Sequence, residues 1–177
     1  MPEIPADASL RLTTARLLLE PYRIDFAAEA YEIFRDPLLY AKVSLRPPQN
    51  FAEFQARAVR WSRRVTLEAD RLSFNWLVRR RDNGRAIGQA QAFVLAGGAA
   101  LLGWLVRREE QKQGFAFEQT AAVLVFLQTA YGVREVRAEI HPSNVASIAI
   151  ARKLGMKDGP PLEPGELCFY WRSGETQ

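Results

Sequence analysis

A strand that runs straight into a long helix through a short glycine-bearing loop constrains this chain more than any other feature. The strand side reads Ala100-Leu101-Leu102-Gly103-Trp104-Leu105-Val106, and the helix side runs from Phe115 to Tyr131 and stops at Gly132. Between them lies Gln111-Lys112-Gln113-Gly114-Phe115-Ala116. The first N–H groups of a helix have no intrahelical acceptor, and the helix dipole places positive charge at the same end. Such a junction suits a phosphate: Gly114 lets a ligand come close to the backbone, and Lys112 adds a positive charge. The plainer alternative is a strand–turn–helix joint that binds nothing. The loop is neither a Walker A sequence, since no Gly-Lys-Ser/Thr follows, nor a GxGxxG run.

A chain of 177 residues is expected to fold as a single domain, 1–177, with residues 1–10 as a flexible N-terminus. That first stretch, Met1-Pro2-Glu3-Ile4-Pro5-Ala6-Asp7, is polar and Pro-rich, without the basic and apolar regions of a signal peptide. No apolar run reaches the roughly 18 residues that cross a bilayer, so no membrane partner is expected. One cysteine, Cys168, excludes an intrachain disulfide, and one histidine, His141, argues against a Cys/His zinc site. A cytoplasmic, metal-free protein is the expectation.

The element order follows from periodicity and punctuation. Residues 15–20 read as a strand, and Asp25 as the N-cap of a helix through Phe34, stopped by Asp36-Pro37. Beyond Pro47-Pro48, apolar Phe54, Ala58, Trp61 and Val65 predict a second helix from about Phe51 to Leu67. Strands at 73–80, 85–94 and 99–106 form an antiparallel meander, turned at Asp82-Asn83-Gly84 and at Gly97-Gly98. The helix 115–131, a strand Glu135–Ile140, a short helix opened by His141-Pro142-Ser143-Asn144 and ended by Leu154-Gly155, and a strand 166–172 complete the order β-α-α-β-β-β-α-β-α-β.

The net charge of +4 is modest, but arginine clusters. Arg57, Arg60 and Arg64 share one predicted helix face, and Arg79-Arg80-Arg81 precede a turn. Such groups suit nucleic acid or an acidic substrate, or form a solvated face beside Glu53, Glu68 and Asp70. No recognised nucleic-acid motif accompanies them, so nucleic acid is not an expected partner.

With these motifs in this order, the chain resembles the GCN5-related N-acetyltransferase (GNAT) superfamily, and within it the branch that acetylates N-terminal amines of ribosomal proteins. The resemblance runs from Leu12 to Arg172. It is carried by Leu12-Thr13-Thr14-Ala15-Arg16 with Glu20-Pro21, by Asp82-Asn83-Gly84 with Ile87-Gly88, and by Trp104-Leu105-Val106 leading to Gln111, Gly114, Ala116 and Glu118. It continues through Arg134 to Glu139, Pro142, Asn144 and Ser147, and then Lys153-Leu154-Gly155-Met156. It implies an α+β (α/β) fold of the GNAT type, a mixed central sheet of about six to seven strands flanked by helices. It also implies acetyl-CoA, or another acyl-CoA, as donor and a primary amine as acceptor, with a homodimer left open.

In the same resemblance, Leu105, Val106 and Arg107 pair with the pantetheine amides, and Gln111, Lys112, Gln113, Gly114, Phe115 and Ala116 hold the pyrophosphate. Asn144, with Ser147 one turn on, contacts the cofactor or simply caps a helix. Arg152 and Lys153 reach the 3′-phosphate or point to solvent. Three departures stand out. Ala99-Ala100-Leu101-Leu102 carries no Glu where the branch often has one, and Ala151 stands where many relatives have a Tyr general acid. A family glycine is replaced by Lys112. Candidate acid–base groups are therefore Glu20, Glu139, His141 and Tyr170, with a backbone N–H near Leu105 polarising the thioester carbonyl. Cys168 reads as a buried structural thiol. The competing functional readings are an N-acetyltransferase, a GNAT-fold acyl-CoA binder without turnover, and a basic protein docking on ribosome or RNA.

Overall fold

The computed structural model describes residues 10–43, 45–63, 65–66, 71–161 and 164–174. One nine-stranded sheet organises them. Its strands are β1 (Leu12–Thr13), β2 (Leu17–Pro21), β3 (Val65–Thr66), β4 (Arg71–Arg80), β5 (Ala86–Val94), β6 (Ala99–Val106), β7 (Glu135–Ile140), β8 (Lys157–Gly159) and β9 (Leu167–Arg172). The helices are α1 (Ala27–Phe34), α2 (Phe51–Trp61), α3 (Phe115–Tyr131) and α4 (Val145–Lys153). Across the sheet the order is β1-β2-β4-β5-β6-β7-β9-β8, with β3 pairing β4 off this path. The expected six strands are all present, and the two- and three-residue β1, β3 and β8 account for the excess.

Two expectations are corrected. Asp25 is not an N-cap: it lies inside a 3-10 turn, Ile24–Phe26, and pairs with Arg23. The second helix stops at Trp61, because Val65–Thr66 leave to pair with Leu72 and Arg71 of β4. Val65 continues the helical spacing of Phe54, Ala58 and Trp61, but pairing with β4 wins over that local pattern. Arg64 and Leu67 lie outside the described residues, as do residues 1–9. Leu10, expected in the flexible start, is buried, and its carbonyl accepts a hydrogen bond from Trp76 Nε1 at 2.7 Å.

Every strand pairing is antiparallel except β6 with β7, which is parallel and short. Only Ala99, Ala100 and Leu101 pair with Glu135, Val136 and Arg137. Beyond that point β7 stays bonded to β9 through Ile140, while β6 stays bonded to β5 through Val106. The two strands therefore part, and a wedge opens within the sheet.

The two faces differ. Helix α3 packs Phe115, Val123, Leu124, Phe126 and Leu127 against Phe74, Trp76, Ala90 and Ala92. Helix α4 covers β7 and β9 through Ala151, Ala138, Ile140 and Phe169. The other face carries α1 and α2 over an aromatic cluster, with the Phe34 and Trp61 rings 4.9 Å apart. Near the wedge this second face is polar: Gln89 Nε2 donates to Asn75 Oδ1 at 3.0 Å, and Asn75 Nδ2 to Ser73 Oγ at 3.1 Å.

The Ile87-Gly88 pair is a β-bulge. Val78 pairs with Gly88 and Arg79 with Ala86, which leaves Ile87 as the extra residue. A Cβ on Gly88 would lie 2.1 Å from the Leu105 carbonyl oxygen. That oxygen sits 3.4 Å from Nε2 of buried Gln119 on α3. Gly88→Ala is expected to lower stability by about 1–3 kcal/mol, because backbone must move. Gly103→Ala, whose Cβ meets nothing nearer than Gln91 at 3.9 Å, should show no such loss. Chemical denaturation of both variants checks this.

Candidate active site: the wedge between two strands and the loop at its end

The parity of β6 is set at both ends. Leu95 N–H donates to the Ala99 carbonyl at 2.9 Å, and Arg107 N–H donates to the Ile87 carbonyl at 2.7 Å. Alternation along an antiparallel ladder then turns the backbone groups of Leu101, Gly103 and Leu105 towards β5. Those of Leu102, Trp104 and Val106 turn the other way, towards the wedge. The Val106 carbonyl accepts from Gln111 Nε2 at 2.9 Å. Of Leu105, Val106 and Arg107, only Val106 is turned towards the wedge, and with its carbonyl taken by Gln111 it offers its N–H. Arg107 N–H is already engaged, and Leu105 is turned to β5.

At the end of β6 a 3-10 turn, Arg108–Glu110, leads into the loop. Gly114 is the N-cap of α3 in the left-handed region, φ 81°, and no side chain caps the helix. The first intrahelical bond across this end is Glu118 N–H to the Gly114 carbonyl at 3.0 Å. The N–H groups of Phe115, Ala116 and Phe117 consequently have no helical acceptor. Lys112 is the single non-glycine residue with positive φ, 61°, among those described. The family glycine it replaces suits this conformation. A left-handed residue beside amides that lack a helical acceptor suits an anion, and this donor set fits a pyrophosphate.

Long-range ion pairs hold the loop. Glu118 accepts from Thr14 Oγ1 at 2.6 Å, Arg16 N–H at 2.9 Å and Arg16 Nε at 2.7 Å. Arg16 also donates to the Gln113 carbonyl at 3.0 Å, and its guanidinium lies 4.4 Å from the centre of the Phe115 ring. On the other side buried Glu110 accepts from Arg80 at 3.1 Å and Arg85 at 3.2 Å. Burial raises the Glu118 pKa, but Thr14 and Arg16 outweigh it and hold it below the usual carboxylate value. Periodicity gives no sign of these contacts. Arg16 and Glu118 were legible only as parts of the resemblance.

A cavity of about 780 Å³ fills the wedge. Leu102, Gly103, Trp104 and Leu105 form one wall and Glu139, Ile140 and His141 the other. Gln89 and Gln91 lie at its floor, and Tyr40, Arg57, Arg60 and Trp61 face in from the α2 side. Asn144 and Ser147 also line it. Asn144 caps α4, its Oδ1 accepting from Ser147 N–H at 3.2 Å, while its Nδ2 donates to the Lys42 carbonyl at 3.1 Å.

The acid–base candidates separate. Glu139 is exposed and in the cavity wall. His141 is there too, but its Nδ1 accepts from Ser143 N–H at 3.2 Å, so its basic nitrogen is engaged when neutral. Glu20 does not line the cavity; it is paired with Arg79 at 2.6 Å and Arg11 at 3.3 Å. Tyr170 does not line it either, and carries Arg172 at 4.7 Å over its ring. Ala151 is fully buried, so that helix position offers no acid. Cys168 is buried, burial pushes its thiol pKa up, and it stands opposite Glu139 in the sheet. Lys153 Nζ lies 4.3 Å from the Phe117 ring centre, outside the wedge.

The family description "Acetyltransferase (GNAT) domain" matches residues 16–157, and the chain belongs to this family. It is an acetyl-CoA-dependent acetyltransferase. Solved structures share its fold. A probable GNAT acetyltransferase from Chromobacterium violaceum is similar at 20% identity and TM-score 0.74, covering 99% of this chain and 96% of that one. A putative ribosomal-protein-serine acetyltransferase from Vibrio cholerae gives 18% and 0.69, covering 92% and 97%. The aminoglycoside acetyltransferase AAC(6')-Ib, solved with coenzyme A, gives 18% and 0.73, covering 88% and 94%. No curated protein matches the chain. Among the described residues no helix is long and apolar enough to cross a membrane, and no cluster of His, Cys, Asp or Glu suits a metal ion.

Two outcomes follow from the loop. Glu118→Gln should destabilise the protein by about 1–3 kcal/mol at neutral pH. Because the native carboxyl pKa is depressed, the difference should be complete above the ordinary value of 4.5 and fade as pH falls below it. Thermal melts across about pH 3–7, in steps of about half a unit, read this. At Lys112, both Gly and Ala remove the ammonium, but only Gly relieves a left-handed strain of about 1–2 kcal/mol. If backbone shape governs binding, Lys112→Gly keeps acetyl-CoA affinity and Lys112→Ala does not gain stability. Equal losses of affinity, with a flattened salt dependence, would instead assign the binding to the charge.

Proposed function

We propose that the chain transfers acetyl from acetyl-CoA to the primary amine of a small acceptor bound in the wedge. The observation that carries this is the unpaired side of β6, which ends at the open N-terminus of α3. In this reading the backbone of Trp104 and Val106 meets the pantetheine amides, and Gln111 to Ala116 hold the pyrophosphate. A backbone N–H at Trp104, rather than Leu105, is directed to polarise the thioester carbonyl. The acceptor enters on the α2 side. Its nitrogen bonds to the carbonyl carbon, the C–S bond breaks, and the nitrogen's proton leaves to solvent while the thiolate departs. Composition supports a cytoplasmic setting, and the sequence motifs, with the likeness to the putative ribosomal-protein-serine acetyltransferase, support the ribosomal-protein branch.

Of the candidate bases Glu20 and Glu139, Glu139 is the one that lines the cavity, and it is exposed to solvent. It serves to attract the ammonium and pass its proton through water. No dedicated base is required, so the rate should rise with pH towards the acceptor's own pKa. At pH 7.5, amines near about 8 should outperform lysine side chains near about 10.4. Free-thiol release with both kinds of amine tests this. Glu139→Gln is expected to cost less than the roughly 10²–10⁴-fold of a positioned base. An inflection near pH 6–7, shared by both acceptors and lost in Glu139→Gln, would overturn it. Absence of thiol release with every amine would leave acetyl-CoA binding without transfer.

A further inference from the structure

We infer that the acceptor is a zwitterion: an apolar α-amino acid whose carboxylate is held by Arg57. This rests on the acyl-transfer reading and names its substrate class. Arg57 and Arg60 bring positive charge to the cavity from α2, and Glu139 brings negative charge from β7, with Glu166 just before β9. Lys42 also lines it, beside the start of α4, where its carbonyl accepts from Asn144.

Arg57 is the key group. Its side chain is only 16% exposed, yet among the described residues its one ion-pair partner is Glu53, at 3.9 Å. Glu53 is already committed, pairing with Arg46 at 2.9 Å and accepting Gln49 N–H at 2.9 Å. The remaining contact of Arg57 with backbone is a 3.4 Å bond to the Arg46 carbonyl. The Tyr40 hydroxyl, which also lines the cavity, is committed to the Phe34 carbonyl at 2.9 Å. A mostly buried guanidinium with one distant, shared counter-charge is under-compensated, and its planar fork matches a carboxylate. Phe34, Trp61 and Leu105 also line the cavity, and they suit an apolar side chain. An ammonium facing Glu139 and a carboxylate facing Arg57 satisfy both charges at once. A polycationic acceptor satisfies only one.

The test compares L-phenylalanine with L-phenylalaninamide in wild type and Arg57→Gln, reading kcat/KM by thiol release. Taking the acid-to-amide ratio in each protein, and then the ratio between proteins, cancels the difference in amine basicity. Loss of a charged hydrogen bond should lower the acid-to-amide ratio by about 10- to 100-fold in the variant. An unchanged ratio, with the melt and acetyl-CoA affinity intact, overturns the assignment. Should Arg57→Gln fail to fold, the wild-type protein bound to CoA decides by thermal shift. Greater stabilisation by phenylalanine than by its amide supports the site, and equal stabilisation refutes it. If no amine is turned over, the transfer reading fails on its own, and the same thermal-shift comparison still judges the carboxylate site.

Discussion

Everything functional here depends on three residue pairs. Strand β6 meets β7 only at Ala99–Leu101, and each strand then keeps its other neighbour. The sheet thus carries an internal edge. Unpaired backbone groups within a sheet are costly when kept from water, and they are a template for anything offering alternating donors and acceptors. An amide-bearing arm such as pantetheine meets that need. The bulge at Ile87-Gly88 belongs to the same device: it bends β5 next to the parting and leaves space for the displaced Leu105 carbonyl.

The sheet also separates two kinds of work by face. On the α3 side, Phe74, Trp76, Ala90 and Ala92 form continuous apolar packing. On the other, alternate residues of the same strands are Ser73, Asn75, Gln89 and Gln91, and the first three are buried and hydrogen-bonded in series. Period-2 alternation alone therefore puts a polar floor beneath the acceptor cavity. The aromatic cluster of α1 and α2 closes the cavity without filling it.

Much of this architecture was legible in the sequence because local signals agreed with tertiary ones. Gly114 and Gly132 bound α3, and both residues adopt positive φ. The Asp82-Asn83-Gly84 turn and the strands around it stand where turn chemistry puts them. What was not legible is long-range. Val65 fits the helical spacing, yet pairing with Leu72 removes it from the helix. Glu20 and Glu139 look alike as acidic strand residues, yet Arg79 occupies one while the other faces the cavity. The parity of β6 depends on hydrogen bonds at Leu95 and Arg107, which no side-chain pattern encodes. That is why Trp104 replaces Leu105 and Arg107 in the backbone contacts proposed for the donor.

The chain lacks the Glu and Tyr that many relatives use, and magnitudes decide how much that matters. A positioned base contributes about 10²–10⁴-fold, which is roughly 3–5 kcal/mol. Holding two reactants in line contributes about 7–11 kcal/mol in model systems. Most of the machinery seen here serves the second purpose. Arg16, Glu118, Arg80, Arg85 and Glu110 fix the loop, and Asn144 ties the start of α4 to the backbone at Lys42. Lys112 keeps a left-handed conformation that a side chain disfavours, which only a loop held firmly on both sides can impose. Losing a general acid while keeping this scaffold costs the smaller term and retains the larger. The fold therefore supports transfer chemistry with modest acid–base help, provided the acceptor supplies a nitrogen that readily gives up its proton.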